Sequence, residues 1–318
     1  MNIKVIDGHI DTLIALNSQK LTFSQRSNTG HCDLQRMKEG SVSAALFAIF
    51  PGMIRKNIIN GLDEWFKLVN NPENHLYHIK YIEDFKNAEN SNKIGAILHF
   101  EGAGGIDKDF ALLRLSYQLG LRSMSLSWSN VNKYATGALF DKKQEDRRLT
   151  EKGKELLLTA QKMGITIDVS HLNDPSFWDL IEITSKPIFA SHSNCRSICN
   201  VPRNLTDEQI IAIHEKHGTI GLNFAIRFLS EEHKKAKSSV ELPLEVFKSH
   251  IDHIVKLTDI NTVAIGSDFD GTMIPSNISG SNDFPKFFDY LLENGYSEQD
   301  LKKLGHENLL RVFKDTWR

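Results

Sequence analysis

Residues 1–16 read MNIKVIDGHIDTLIAL. Ile3-Lys4-Val5-Ile6 has the β-branched content of a short buried strand. Asp7, Gly8, His9 and Asp11 follow at once. Positions two apart project to the same side of an extended backbone, so His9 and Asp11 stand together as potential metal ligands. A single His-x-Asp also suits an ordinary surface pair. Its meaning depends on whether other strands end the same way.

The same pattern recurs along the chain. Short apolar runs predict eight strands: Lys4–Ile6, Ser43–Phe50, Ile94–Phe100, Arg122–Ser127, Thr166–Val169, Pro187–Ala190, Thr219–Asn223 and Thr262–Ile265. Helical patterns separate them. One runs from the N-cap Thr150 to the terminating Gly164, and another opens on Thr206 with Gln209 completing a capping box. Strands alternating with helices imply parallel pairing, and eight such units in 318 residues predict an α/β fold of the TIM-like (β/α)8 barrel type. A doubly wound open sheet is the competing architecture. The stretch from Pro51 to Asn92 is long for one crossover and is expected to carry an extra helix. No linker, repeat or low-complexity tract divides the sequence, so residues 1–318 are expected to form one domain.

Composition narrows the function classes. Apolar residues make up 40% and charged residues 25%, with a formal net charge of -2, which gives no electrostatic footprint for nucleic acid or a membrane surface. Cys32, Cys195 and Cys199 lack zinc or redox spacing and predict free thiols in a reducing compartment. The N-terminus enters a strand without a leader pattern, and no apolar stretch approaches the ~18 residues of a membrane span. A cytoplasmic protein is expected.

Potential ligands cluster just past the predicted strands. The third ends in His99-Phe100-Glu101, the fifth runs into Asp168-Val169-Ser170-His171, the sixth into Ser191-His192, and the eighth into Ser267-Asp268-Phe269-Asp270. In a barrel these positions share the C-terminal face, where active sites form. Five ligands, His9, Asp11, Glu101, His171 and His192, exceed what one four-coordinate zinc with an open position takes. They suit two divalent ions, most simply Zn2+: His9 and Asp11 on one, His171 and His192 on the other, Glu101 between them. His99 is expected to pack near the barrel wall, Asp168 to support a neighbouring histidine or a turn, and Asp7 to orient a ligand or close a local turn.

Five pieces, VIDGHIDTL, HFEGAGGI, GITIDVSH, FASHSNCRSICNVPRNLTDEQI and IGSDFDGT, occur in this order from Val5 to Thr272. Together they resemble the membrane dipeptidase (renal dipeptidase) family, peptidase family M19, of the amidohydrolase superfamily. The resemblance implies a (β/α)8 barrel, two zinc ions on the five ligands above, and hydrolysis of dipeptides by a bridging hydroxide. It assigns proton transfer to Asp268 and capture of the substrate's terminal carboxylate to Arg203 in VPRN. It also implies tolerance of a C-terminal D-residue and a homodimer. One departure stands out: where better-studied members carry a histidine after the fourth strand, SLSW places Trp128. An indole N–H donates one hydrogen bond but carries no proton near neutrality. Trp128 therefore either touches substrate or packs at the pocket mouth, and substrate range is more in question than reaction type.

Three other readings compete. SDFDGT also matches the Asp-x-Asp-Gly-Thr signature of haloacid-dehalogenase-type phosphatases, but that motif follows the first strand of its domain, not the eighth. Other amidohydrolases acting on small amides or esters usually begin His-x-His and bridge their metals with a carboxylated lysine, whereas this chain offers His-x-Asp and Glu101. A non-catalytic metal-binding barrel would not need Asp268.

Overall fold

The computed structural model describes residues 3–138 and 146–318. Nine strands form one parallel sheet: β1 Val5–Ile10, β2 Val42–Ile49, β3 Leu76–His78, β4 Ile94–Phe100, β5 Leu121–Ser125, β6 Thr166–Asp168, β7 Ile188–Ala190, β8 Thr219–Leu222 and β9 Val263–Ile265. The order β2-β1-β9-β8-β7-β6-β5-β4 closes on itself because β2 also pairs with β4, from Ala44↔Gly95 to Ile49↔Phe100. Eight strands thus make a closed barrel with helices outside it, and the open-sheet alternative falls.

The ninth strand, β3, is an addition. It pairs with the first half of β4, Leu76↔Ile94 to His78↔Ala96, whereas β5 pairs with its second half from Leu98 onward. The expected extra helix in this region is present as Arg55–Asn70 and Glu83–Asn90. The strand between them was not expected, because only Leu76 of its three residues is fully buried and no apolar run marks it.

The first strand also runs further than Ile6. All six residues of Val5–Ile10 are buried, so Asp7 and His9 lie inside β1 rather than beyond its end. The β1–β2 register shifts between Asp7 and Ile10. Strict alternation would put Ile6 and Ile10 on one face, yet Ile6 packs with Ala44, Leu46, Phe189 and Ala264, while Ile10 joins the larger cluster with Val5. A local irregularity of this kind re-aims a side chain, and His9 sits within it.

Elsewhere the local signals hold. Thr150 accepts from the Gly153 N–H, and Gly164 ends that helix at φ 88. Thr206 and Gln209 complete the capping box of Asp207–Glu215. The last helix, Asn308–Thr316, adds Leu309, Val312 and Phe313 to the cluster that contains Ile6, Leu46, Ile97 and Phe189. Among the described residues no helix is long and apolar enough to cross a membrane.

One close approach fixes the chain beyond β7. A Cβ at Gly266 would stand 1.8 Å from the Ser191 carbonyl oxygen, and one at Gly221 would stand 2.1 Å from it. Glycine at both places lets β8 and the end of β9 close around the backbone that carries His192. Gly266→Ala is expected to force this backbone aside and lower unfolding free energy by about 1–3 kcal/mol, the usual cost of overpacking. Urea denaturation at fixed metal concentration checks this; an unchanged midpoint contradicts it.

Candidate metal centre

The barrel brings all five expected ligands together. His9 lies in β1 and Asp11 just after it, Glu101 follows β4, and His171 and His192 lie beyond β6 and β7. His9 Nε2 is 3.5 Å from Asp11 Oδ2 and 3.9 Å from Glu101 Oε2. The other Glu101 oxygen, Oε1, is 2.8 Å from His171 Nε2 and 3.7 Å from His192 Nε2. One carboxylate therefore faces two ligand sets with different oxygens. Three groups each bring their ligand atoms within 4.8 Å: His9-Asp11-Glu101, Glu101-His171-His192 and His9-His192-Asp268.

Serines set the imidazole orientations. Asp168 Oδ2 accepts the Ser191 hydroxyl at 2.7 Å, and Ser191 Oγ is 2.6 Å from His192 Nδ1. A hydroxyl has one proton, and Ser191 directs it at Asp168, so His192 Nδ1–H is the donor and its Nε2, 3.0 Å from His171 Nε2, carries the lone pair. Asp168 also accepts from the Ser170 and Ser191 N–H groups. It thus serves both roles expected of it, a turn and, through Ser191, a histidine. His171 Nδ1 lies 2.8 Å from Ser129 Oγ, which turns its Nε2 toward Glu101. Asp7 accepts from the His9 N–H, a local bond that holds a ligand's backbone, and also ties β1 to the chain after β9 by accepting from the Ser267 N–H and hydroxyl.

These groups are buried and electrostatically crowded. Burial, then Asp11, pushes the Glu101 carboxyl well above its ordinary range. Burial and Asp11 likewise raise Asp268 to about 6, against the pull of His9 and Arg203. Burial alone would lower His9, but Glu101, Asp11 and Asp268 hold it up at about 10. His171 and His192 are driven well down by burial, with Arg203 and His9 adding to it. Among the described residues, His9 Nδ1, His9 Nε2 and Asp11 Oδ1 are buried without a hydrogen-bond partner. Unpaired buried donors and acceptors are costly. An imidazole–carboxylate set with these atoms left without a hydrogen bond fits a divalent cation.

The remaining expected residues surround this cluster. Asp268, at φ 61, donates its N–H to the His9 carbonyl. Arg203 is buried; Nη1 donates to Ser193 Oγ and Nη2 to the His192 carbonyl, both at 2.8 Å, while Nε has no hydrogen-bond partner among the described residues. Trp128 is half-buried, edge-on to Phe50 at 5.1 Å and 6.1 Å from the His171 ring. His99 is fully buried within β4, packed at the barrel wall as expected. Its Nδ1 meets Ser123 Oγ at 2.9 Å and its ring stands edge-on to His9 at 5.5 Å. Sequence reasoning missed the orienting serines and Asn223, which is buried and donates to Asp268. The signal for Asn223 was present: it ends the apolar run TIGLN as the other polar residues end theirs.

Comparison with known proteins identifies the family. The family described as membrane dipeptidase (peptidase family M19) matches residues 1–317. The crystal structure of dipeptidase AC, a metallo peptidase of family M19, superposes with a TM-score of 0.92 at 31% identity, covering 100% of this chain and 99% of that one. A metallo peptidase from Rhodobacter sphaeroides, liganded with a phosphinate mimic of the dipeptide L-Ala-D-Ala, gives a TM-score of 0.90 at 30% identity, with both chains covered completely (100% and 100%). A Klebsiella pneumoniae relative, an uncharacterized protein in the pqqA 5′ region, is 32% identical over 238 residues, 74% of this chain and 87% of its own. A match along nearly the whole length, joined to this buried cluster of imidazoles and carboxylates, makes the chain a member of the membrane dipeptidase family and a metal-dependent hydrolase acting on dipeptides.

Proposed function

We propose that residues 1–318 act as a single-domain dipeptidase whose site, at the C-terminal face of the barrel, holds two divalent ions, zinc by the chemistry of the donors. His9 and Asp11 would hold one ion and His171 and His192 the other, with Glu101 shared. The observation that carries this is the opposed use of the two Glu101 oxygens. A cation bound there supplies Lewis acidity to the scissile carbonyl and acidifies the attacking water.

The chain's own residues do the rest. Asp268 takes the proton of the attacking water and returns it to the leaving amine as the C–N bond breaks. Its position beside His9 and His192 suits that role. Arg203, whose Nε is without a hydrogen bond among the described residues, engages the substrate's terminal carboxylate and so selects chains as short as dipeptides. Trp128 and Phe50 form an aromatic wall next to His171 that contacts the substrate. This grip acts on the terminal carboxylate and the scissile carbonyl, so a D-residue at the C-terminal position is accommodated. The phosphinate mimic of L-Ala-D-Ala on the Rhodobacter sphaeroides relative supports that reading, because tetrahedral phosphorus copies a hydrated carbonyl. Three free, buried cysteines support a cytoplasmic setting.

Three outcomes test the proposal. Exhaustive dialysis against a strong chelator should abolish L-Ala-D-Ala hydrolysis and zinc should restore it; turnover by metal-free protein contradicts the scheme. Asp268→Asn should retain metal but lose at least roughly 100-fold in kcat, within the range for a positioned acid–base group. Unchanged kcat removes Asp268 from proton transfer. Arg203→Ala should raise KM by roughly 10–100-fold for free dipeptides and far less for their C-terminal amides, with metal content measured alongside because Arg203 also bonds the His192 carbonyl. Equal effects on both substrates argue against carboxylate capture.

A further inference from the structure

Asn223 lies one residue beyond β8 and is fully buried. Its side-chain orientation is settled by its neighbours. The Ala225 N–H donates to Asn223 Oδ1 at 2.7 Å, so that end of the amide must be the oxygen. The Nδ2 end then faces Asp268 Oδ2 at 3.0 Å and must donate to it. The backbone is held independently: the Asn223 N–H donates to Asn194 Oδ1 at 3.0 Å, and Asn194 Nδ2 donates to the Asn223 carbonyl at 2.9 Å. Asn223 therefore presents a fixed N–H to one oxygen of Asp268, and nothing about its backbone depends on that bond.

A carboxylate oxygen that already accepts a fixed amide N–H is a poor place for a proton. The other oxygen, Asp268 Oδ1, accepts no hydrogen bond from a described residue. Gly271 has no side chain to crowd it: a Cβ there would stand 2.8 Å from Asp268 Oδ1 and 1.8 Å from Asp11 Oδ2, so only glycine lets these two carboxylates lie against the chain. We propose that Asn223 is a positioning residue that confines proton transfer to Oδ1 of Asp268. In the hydrolysis, an O–H bond of the water breaks and its proton goes to Oδ1. The water oxygen bonds the carbonyl carbon, the C–N bond breaks, and the Oδ1 proton passes to the departing nitrogen. Water and dipeptide become two amino acids, with no other reactant. Asn223 touches neither substrate nor water; it acts by holding Oδ2 and so aiming Oδ1.

This inference rests on the assignment of Asp268 as proton carrier, and the experiment separates the two. Asn223→Asp keeps the size of the side chain and the acceptor for Ala225 but replaces the donor facing Asp268 with an oxygen. Asn223→Ala removes both ends and leaves the bonds with Asn194 in place. Both are measured as zinc-loaded, full-length protein beside Asp268→Asn, with L-Ala-D-Ala as substrate. Each Asn223 variant should lose roughly 10–100-fold in kcat, the scale seen when a partner that orients a catalytic or ligating group is removed. KM should stay within threefold of the parent's, and metal content and denaturation midpoint should be retained in Asn223→Asp. A kcat within twofold of the parent's in Asn223→Asp, while Asp268→Asn is inactive, overturns the role of Asn223. So does a loss in both Asn223 variants that follows metal content alone. Full activity of Asp268→Asn would instead overturn the assignment of Asp268.

Discussion

Glu101 is the carboxylate around which the rest of the site is arranged. Its Oε2 turns toward His9 and its Oε1 toward His171 and His192, so two ligand sets meet at one side chain. Burying a charge without compensation costs several kcal/mol. Here Glu101, Asp11 and Asp268 are buried close together, and the crowding shows in the Glu101 and Asp268 carboxyls, forced upward, and in His9, held strongly basic. Among the described residues none hydrogen-bonds His9 Nδ1, His9 Nε2 or Asp11 Oδ1. A cation neutralises the carboxylates and satisfies the imidazole lone pairs in one step, which is why this cluster makes physical sense as a binding centre and not as a packed core.

The barrel makes such crowding sustainable by fixing the backbone on every side. His171 and Asp268 adopt left-handed conformations, φ 72 and 61, that cost non-glycine residues on the order of 1–3 kcal/mol. Both are held by backbone bonds: the His171 carbonyl accepts from the Ala138 N–H, and the Asp268 N–H donates to the His9 carbonyl. Gly221 and Gly266 let neighbouring strands close on Ser191, which in turn sets the tautomer of His192. Stability given up in backbone strain is recovered by pairing across strands far apart in sequence.

Much of this was legible in the chain. An apolar run followed by His, Asp or Glu is a local pattern, so the strand ends at Glu101, His171, His192 and Asp268 could be read directly, and parallel pairing then implied that they converge. Asn223 apart, what escaped had no local signature. Leu76–His78 is too short and too exposed to read as a strand, and β1 continues through Asp7 and His9 because barrel closure overrides the usual bias against polar residues in strands. Ser129 pairs with His171 across 42 residues, and no periodicity announces that. Arg203 and Asp268 gained their roles only by resemblance, since nothing in their spacing brings one beside the other.

The most direct test of the central claim is anomalous diffraction at the zinc edge from crystals of zinc-loaded protein. The account predicts two peaks per chain, about 3.5–4 Å apart, one beside His9 and Asp11, the other beside His171 and His192, with Glu101 between. A single peak, or zinc bound away from Glu101, would contradict it.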